Sequence, residues 1–76
     1  MVNARKISGR MKELGLRQQD IAQALGIAAP TVSQKINGIR PMMLDEAEKI
    51  AAVLKIEDAE FGNYFFNKEV AQRNTV

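Results

Sequence analysis

An all-α fold, a compact bundle of five short helices, is what this sequence predicts, and three observations carry that prediction. Apolar residues recur at helical spacing in successive segments up to Phe66. Gly15, Gly26 and Gly38 each stand just past such a segment, where a helix stops on a residue that tolerates positive φ. The chain has 76 residues, 46% of them hydrophobic, which suits one packed domain with one small core and no second domain.

The elements follow in order. Asn3 caps a first helix running to about Leu14, with Ile7, Met11 and Leu14 on one stripe. Arg5, Lys6, Arg10 and Lys12 lie off that stripe, as a phosphate-facing helix end or as a solvated face. A second helix spans about Gln18–Leu25 and buries Ile21, Ala22 and Leu25; Asp20 suits the dipole at its start. Arg17 falls at the cap, where Ser, Thr or Asn is better. Either that cap is weak or Arg17 is there to reach a phosphate. Gly26 makes a tight reversal, Ala22 lets two helices approach, and Ile27 turns inward. A third helix, about Ala29–Asn37, has Pro30 in its first turn, where the missing N–H costs nothing. Val32 and Ile36 face inward, leaving Thr31, Ser33, Gln34 and Lys35 outward.

After the Arg40-Pro41 loop comes a fourth helix, about Leu44–Lys55, with Leu44, Ala47, Ile50, Ala51 and Leu54 on one face. Asp45, Glu46 and Glu48 favour its start, although Met43 is a poor cap. Asp58 can cap a fifth helix, about Ala59–Phe66, which holds all four aromatic residues: Phe61, Tyr64, Phe65 and Phe66. Some must fill the core, and a surplus aromatic face would mark a dimer interface. The domain therefore covers 1–66, and 67–76 is a polar tail expected to be partly flexible. As an alternative, Tyr64–Val70 is extended and pairs across a dimer as an edge strand.

Composition narrows the functions. There is no Cys, hence no disulfide and no thiolate site, and no His, the commonest general base and metal ligand. No metal-ligand spacing is present, and no carboxylate pair or Ser–His arrangement supports catalysis, so no enzyme, no metal and no cofactor is expected. No apolar run approaches a membrane span and no signal-peptide pattern opens the chain, which implies a cytoplasmic protein with no membrane partner. The net charge is +2, but residues 1–40 hold seven Lys/Arg against two acids, while 41–76 hold four against seven. Such polarity suggests that one end meets a polyanion.

Gln18–Gly38, QQDIAQALGIAAPTVSQKING, has the spacing of a helix-turn-helix, and an outward face with short hydroxyls, an amide, a cation and no acid suits a DNA groove. This stretch resembles the helix-turn-helix of lambda-repressor-like (Xre-type) regulators, the phage Cro and CI repressors among them. The matching residues are Gln18, Ala22, Gly26, Val32 and Asn37-Gly38. Leu14-Gly15-Leu16 and Val53-Leu54-Lys55-Ile56 extend the match to about residues 4–66, and Tyr64-Phe65-Phe66 is similar to the ending of small Cro-like regulators of phages and prophages. The resemblance implies a five-helix lambda-repressor-like domain whose third helix enters the major groove. Its base-reading positions fall on Ala29, Pro30, Thr31 and Gln34, with Ser33 close by. Gln34 could pair with adenine and Ala29-Pro30 could touch a thymine methyl. Backbone-contacting positions are Gln18 and the Asn37–Gly38 turn, with Arg17, Gln19, Lys35 and Arg40 as further phosphate candidates.

Two positions depart from the family pattern. Lys35 stands where relatives are usually apolar, so that its stem snorkels or the helix is rotated. Met11 and Ile36 replace an Arg–Glu ion pair, and an apolar contact between them is expected. The implied partners are double-stranded DNA and a second copy, at least on DNA, with Phe61, Tyr64, Phe65 and Phe66 as the dimer surface and no small-molecule ligand. The function implied is a Cro-like repressor binding a pseudo-palindromic operator. A protein-interaction module, such as the antitoxin of a toxin–antitoxin pair, is the alternative.

Overall fold

A computed structural model describes residues 2–66. The Asn3 side chain accepts the Lys6 N–H at 3.1 Å and opens α1 (Ala4–Leu14). Then come α2 (Gln18–Leu25), α3 (Ala29–Ile36), α4 (Leu44–Val53) and α5 (Asp58–Phe65), and no strand occurs among the described residues. The fold is all-α with five helices, as the apolar spacing requires.

One device closes the first three helices. Gly15, Gly26 and Gly38 have φ of 69, 72 and 80°, and the next residue's N–H returns to the last turn: Leu16 to Met11 O, Ile27 to Ala22 O, Ile39 to Gln34 O. This is the paired-bond close that a left-handed residue makes possible. At the end of α4 the same job falls to Lys55, at φ 55°, whose successor Ile56 bonds back to Ala51 O at 2.9 Å. The fourth helix therefore stops at Val53, two residues before the expected Lys55. A side chain in this conformation is strained, and Arg10 holds the turn in place. Its Nε donates to Leu54 O at 2.9 Å and its second amino group to Lys55 O at 3.3 Å, while Glu13 takes the third arm at 3.3 Å. Arg10 is thus a clamp on the carbonyl end of α4, where a cation also suits the dipole, rather than part of a phosphate-facing surface.

The core joins all five helices: Ile7 and Met11 of α1, Ile21 and Ala22 of α2, Val32 and Ile36 of α3, Ala47, Ile50 and Ala51 of α4, then Leu54 and Phe65. Ile7, Ile21, Val32, Ile50 and Leu54 are wholly buried. α2 packs on α3 and α4, and α1 on α5. Met11 and Ile36 both lie in this one apolar cluster. The Asn3 N–H reaches Tyr64 O at 2.8 Å, and the Lys6 ammonium stands 4.7 Å over the Tyr64 ring, tying the chain's start to α5.

Four expectations are corrected. Leu44 is exposed, because it is the first residue of α4 and the inward stripe begins one turn later, at Ala47. The cap of α5 is Glu57, not Asp58, and its side chain makes no cap bond. Asn37 is the C-cap of α3 rather than its last helical residue. Tyr64 and Phe65 are helical, which removes them from an edge strand; Asn67–Val70, like the tail 67–76, lies outside the described residues.

α4 begins on an apolar cap. Met43 has the extended backbone of a cap residue (φ −78°, ψ 157°) but no side-chain acceptor, while Glu46 Oε1 accepts the Met43 N–H at 2.9 Å. Met43→Ser supplies the missing half of this capping box and is expected to raise stability by about 0.5–2 kcal/mol. Urea unfolding of the two proteins checks it.

Candidate nucleic-acid interface

Val32 and Ile36, four residues apart, pin α3 against the core, at 1% and 3% exposure. On a helix that anchor turns Pro30 and Gln34 to the opposite side, with Thr31 and Ser33 flanking. Pro30 is exposed; Ala29, Thr31, Ser33 and Gln34 are half-buried. The Thr31 hydroxyl and the Gln34 amide have no side-chain hydrogen bond among the described residues, whereas Ser33 is engaged: Asn37 Nδ2 donates to its carbonyl at 2.9 Å and to its Oγ at 3.3 Å. α3 carries no acid.

The start of α2 stands on the other side of the turn. Arg17, Gln18 and Gln19 are exposed. Asp20 Oδ2 accepts the Arg17 N–H at 2.8 Å, so the backbone at this start is half capped. The Arg17 guanidinium cannot serve as a cap acceptor and has no ion-pair partner among the described residues. Past α3, Asn37, Gly38 and Arg40 are exposed, and Arg40 is likewise without an ion-pair partner there.

Lys35 differs from its expected outward pose. Its ammonium donates to Glu46 Oε1 at 3.0 Å and to Pro41 O at 3.1 Å, with the two side chains only 15% and 17% exposed. The stem covers apolar surface and the charge is held inside a clasp from α3 across the loop to α4. The clasp leaves no free cation at 35 to meet a phosphate.

Glu46 was legible only as a dipole-favouring acid at the start of α4; its pairing is tertiary. The Met43 N–H bond foremost, then the hydrogen bond and charge of Lys35 and the charge of Lys49, hold its carboxyl below the ordinary 4.5, against an opposing effect of burial. A carboxyl with a lowered folded pKa gives stability that is complete above 4.5 and is lost as the pH falls through the lower folded value. Wild type is therefore expected to exceed Glu46→Gln in stability at pH 7, and the gap to close as the pH drops below 4.5. Denaturant titrations across that range read it; a gap that stays constant contradicts the clasp.

Of the four aromatics assigned to a dimer surface, Phe65 is core at 4% exposure, while Phe61 and Tyr64 are half-buried. Phe61 stacks on Phe65, with ring centroids 4.7 Å apart. Only Phe66 stands exposed, so the aromatics chiefly complete the core that four short helices leave open. Among the described residues no group of acids could hold a metal ion, and no helix is long and apolar enough to cross a membrane.

Two helices set by a glycine turn, the second presenting an acid-free polar face, define a helix-turn-helix DNA-binding domain. Residues 7–61 match the helix-turn-helix family HTH_3, and the chain belongs to that family, the lambda-repressor-like (Xre-type) DNA-binding transcriptional regulators. No curated protein and no solved structure gives a significant match.

Proposed function

We propose that this chain is a Cro-like repressor of the cytoplasm that binds a pseudo-palindromic operator as a dimer. The observation that carries this is the outward face of α3, where Thr31 and Gln34 keep their polar groups unengaged on a helix without acids. Gln34 has the donor–acceptor pair that matches adenine in the major groove, and Ala29 and Pro30 offer apolar contact to a thymine methyl. Thr31 and Ser33 supply shorter hydrogen bonds. Arg17 and Arg40, without ion-pair partners among the described residues, flank the face with cations for phosphate, and the N–H groups opening α2 at Gln18 and Gln19, with the Asn37–Gly38 turn, fix the docking. Lys35 acts here through position, holding α3 to α4.

Such a domain needs no cofactor or small-molecule ligand; its occupancy follows its concentration. Band-shift titration of the chain's own upstream DNA against excess random duplex tests the reading. Retention of one specific complex under competition is expected. Equal loss to random duplex contradicts it.

A further inference from the structure

Residues 37–43, between α3 and α4, have little apolar anchorage. Met42 packs on the core, and the other residues of the segment are exposed. α3 and α4 themselves each pack on α2. Polar ties hold the segment instead, and they converge on Arg40. The Ile39 and Arg40 N–H groups both donate to Gln34 O, at 2.8 and 3.2 Å. The carbonyl that follows Arg40, Pro41 O, accepts the Lys35 ammonium at 3.1 Å. Glu46 of α4 draws Lys35 there: its Oε1 accepts the ammonium at 3.0 Å and the Met43 N–H at 2.9 Å. One carboxylate oxygen thus fixes the end of the segment and, through Lys35, its middle. The Pro41 ring further restricts the backbone of Arg40 before it. Arg40 is therefore bracketed by two residues of α3, Gln34 and Lys35, while its own guanidinium has no ion-pair partner among the described residues.

We infer that Lys35 and Glu46 are positioning residues for DNA binding: their clasp presets Arg40, the phosphate-contacting cation proposed above, beside the base-reading Gln34. The inference rests on that phosphate reading of Arg40. Lys35 itself touches no DNA in this role. An arginine on a loose segment has to be ordered each time duplex is bound, and fixing one residue's backbone corresponds to about five- to thirtyfold in affinity. The clasp does that ordering on folding, which is the general gain from preorganisation. An apolar pair at 35 and 46 could join α3 to α4. It could not donate to the Pro41 carbonyl or accept the Met43 N–H, so it would leave the segment between them loose. A largely buried pair is also screened little by salt, so the clasp persists where exposed phosphate contacts weaken.

The test is a double-mutant cycle on the full chain. It combines Arg40→Ala with the clasp variant Lys35→Met plus Glu46→Met, which leaves the net charge unchanged. Replacing both partners of a buried pair by apolar side chains of similar size is often neutral for stability, so the clasp variant should melt within about 8 °C of wild type. Binding is titrated well below both melts. With Arg40 present, removing the clasp is expected to weaken binding about five- to thirtyfold. The salt slope should stay as it is, because Arg40 still reaches its phosphate. With Arg40→Ala in place, the same removal should cost less than about twofold. Glu46→Gln alone, run through the same cycle, is expected to show coupling of the same sign, which decides the matter even where the double variant melts low. In the free protein, the Lys35 ammonium should give an NMR signal that exchanges slowly with water and is lost in Glu46→Gln. Equal losses with and without Arg40 overturn the inference, since the pair then only stabilises the domain. A salt slope lower by roughly 1 in the clasp variant also overturns it, since Lys35 itself then meets phosphate. So does a Lys35 signal that exchanges like those of exposed lysines. If Arg40→Ala alone leaves binding unchanged, the phosphate reading of Arg40 falls and the inference with it; a cycle without coupling, while Arg40→Ala does weaken binding, refutes the clasp alone. Random duplex at low salt serves as the probe as well as a preferred one, so the result does not depend on the operator.

Discussion

Ile21→Ala is expected to destabilise the domain by about 2–5 kcal/mol, the range for a large-to-small change at a fully buried position. Ile21 is 0% exposed, and its helix is the one that packs on both α3 and α4. A domain of about 65 residues holds only about 3–10 kcal/mol in total, so the variant should be partly unfolded at 25 °C. The cavity opens beneath the helix-turn-helix itself. Apparent DNA affinity should fall by the fraction unfolded and return on cooling or with excess duplex, because a ligand that binds only the folded state restores it. Circular dichroism melts with and without duplex read both effects. An unchanged melt contradicts the assignment of Ile21 to the centre of the core.

Gln34→Ala is expected to cost about 1–3 kcal/mol against the preferred duplex and to relax the base preference at one position per half-site. The physical reason is its place opposite Val32 and Ile36, with an amide that no side chain of the domain satisfies. Arg40→Ala should behave differently: weaker binding to every sequence alike, and a salt slope lower by roughly 1. Competition binding against a panel of single-base variants at two salt concentrations separates the two. A Gln34→Ala protein with the wild-type preference contradicts its base-reading role.

The helices were legible because local physics dictated them. Asn3 and Asp20 carry the side-chain oxygens that accept backbone N–H groups at helix starts, glycines at 15, 26 and 38 permit the left-handed closes, and Val32 and Ile36 set the facing of α3. Of the boundaries that differ, those of α4 and α5 do so where local chemistry is ambiguous. Lys55 takes a left-handed conformation that Lys rarely adopts, and nothing local shows that Arg10, forty-four residues before Leu54, holds that turn. Likewise Glu57 caps α5 while the better capping residue, Asp58, sits inside it. The outward surface was harder to read, because exposure depends on what packs beside it. Lys35 is polar and its position lies at the edge of the outward arc, yet Glu46 and Pro41 capture its ammonium across the loop. Leu44 follows the apolar spacing of its helix yet precedes the turn that meets the core. The aromatics crowd the end of α5 and its C-cap, and only packing decides that Phe65 goes inward while Phe66 stays in water.

Selection of bound duplexes from a random pool tests the central claim most directly, since it reads sequence preference, symmetry and half-site spacing in one experiment. The account predicts enrichment of a single pseudo-palindrome with half-sites centred roughly one helical turn, 10–10.5 base pairs, apart. Enrichment of no sequence over the starting pool, at a salt concentration where the chain still binds duplex, would contradict it.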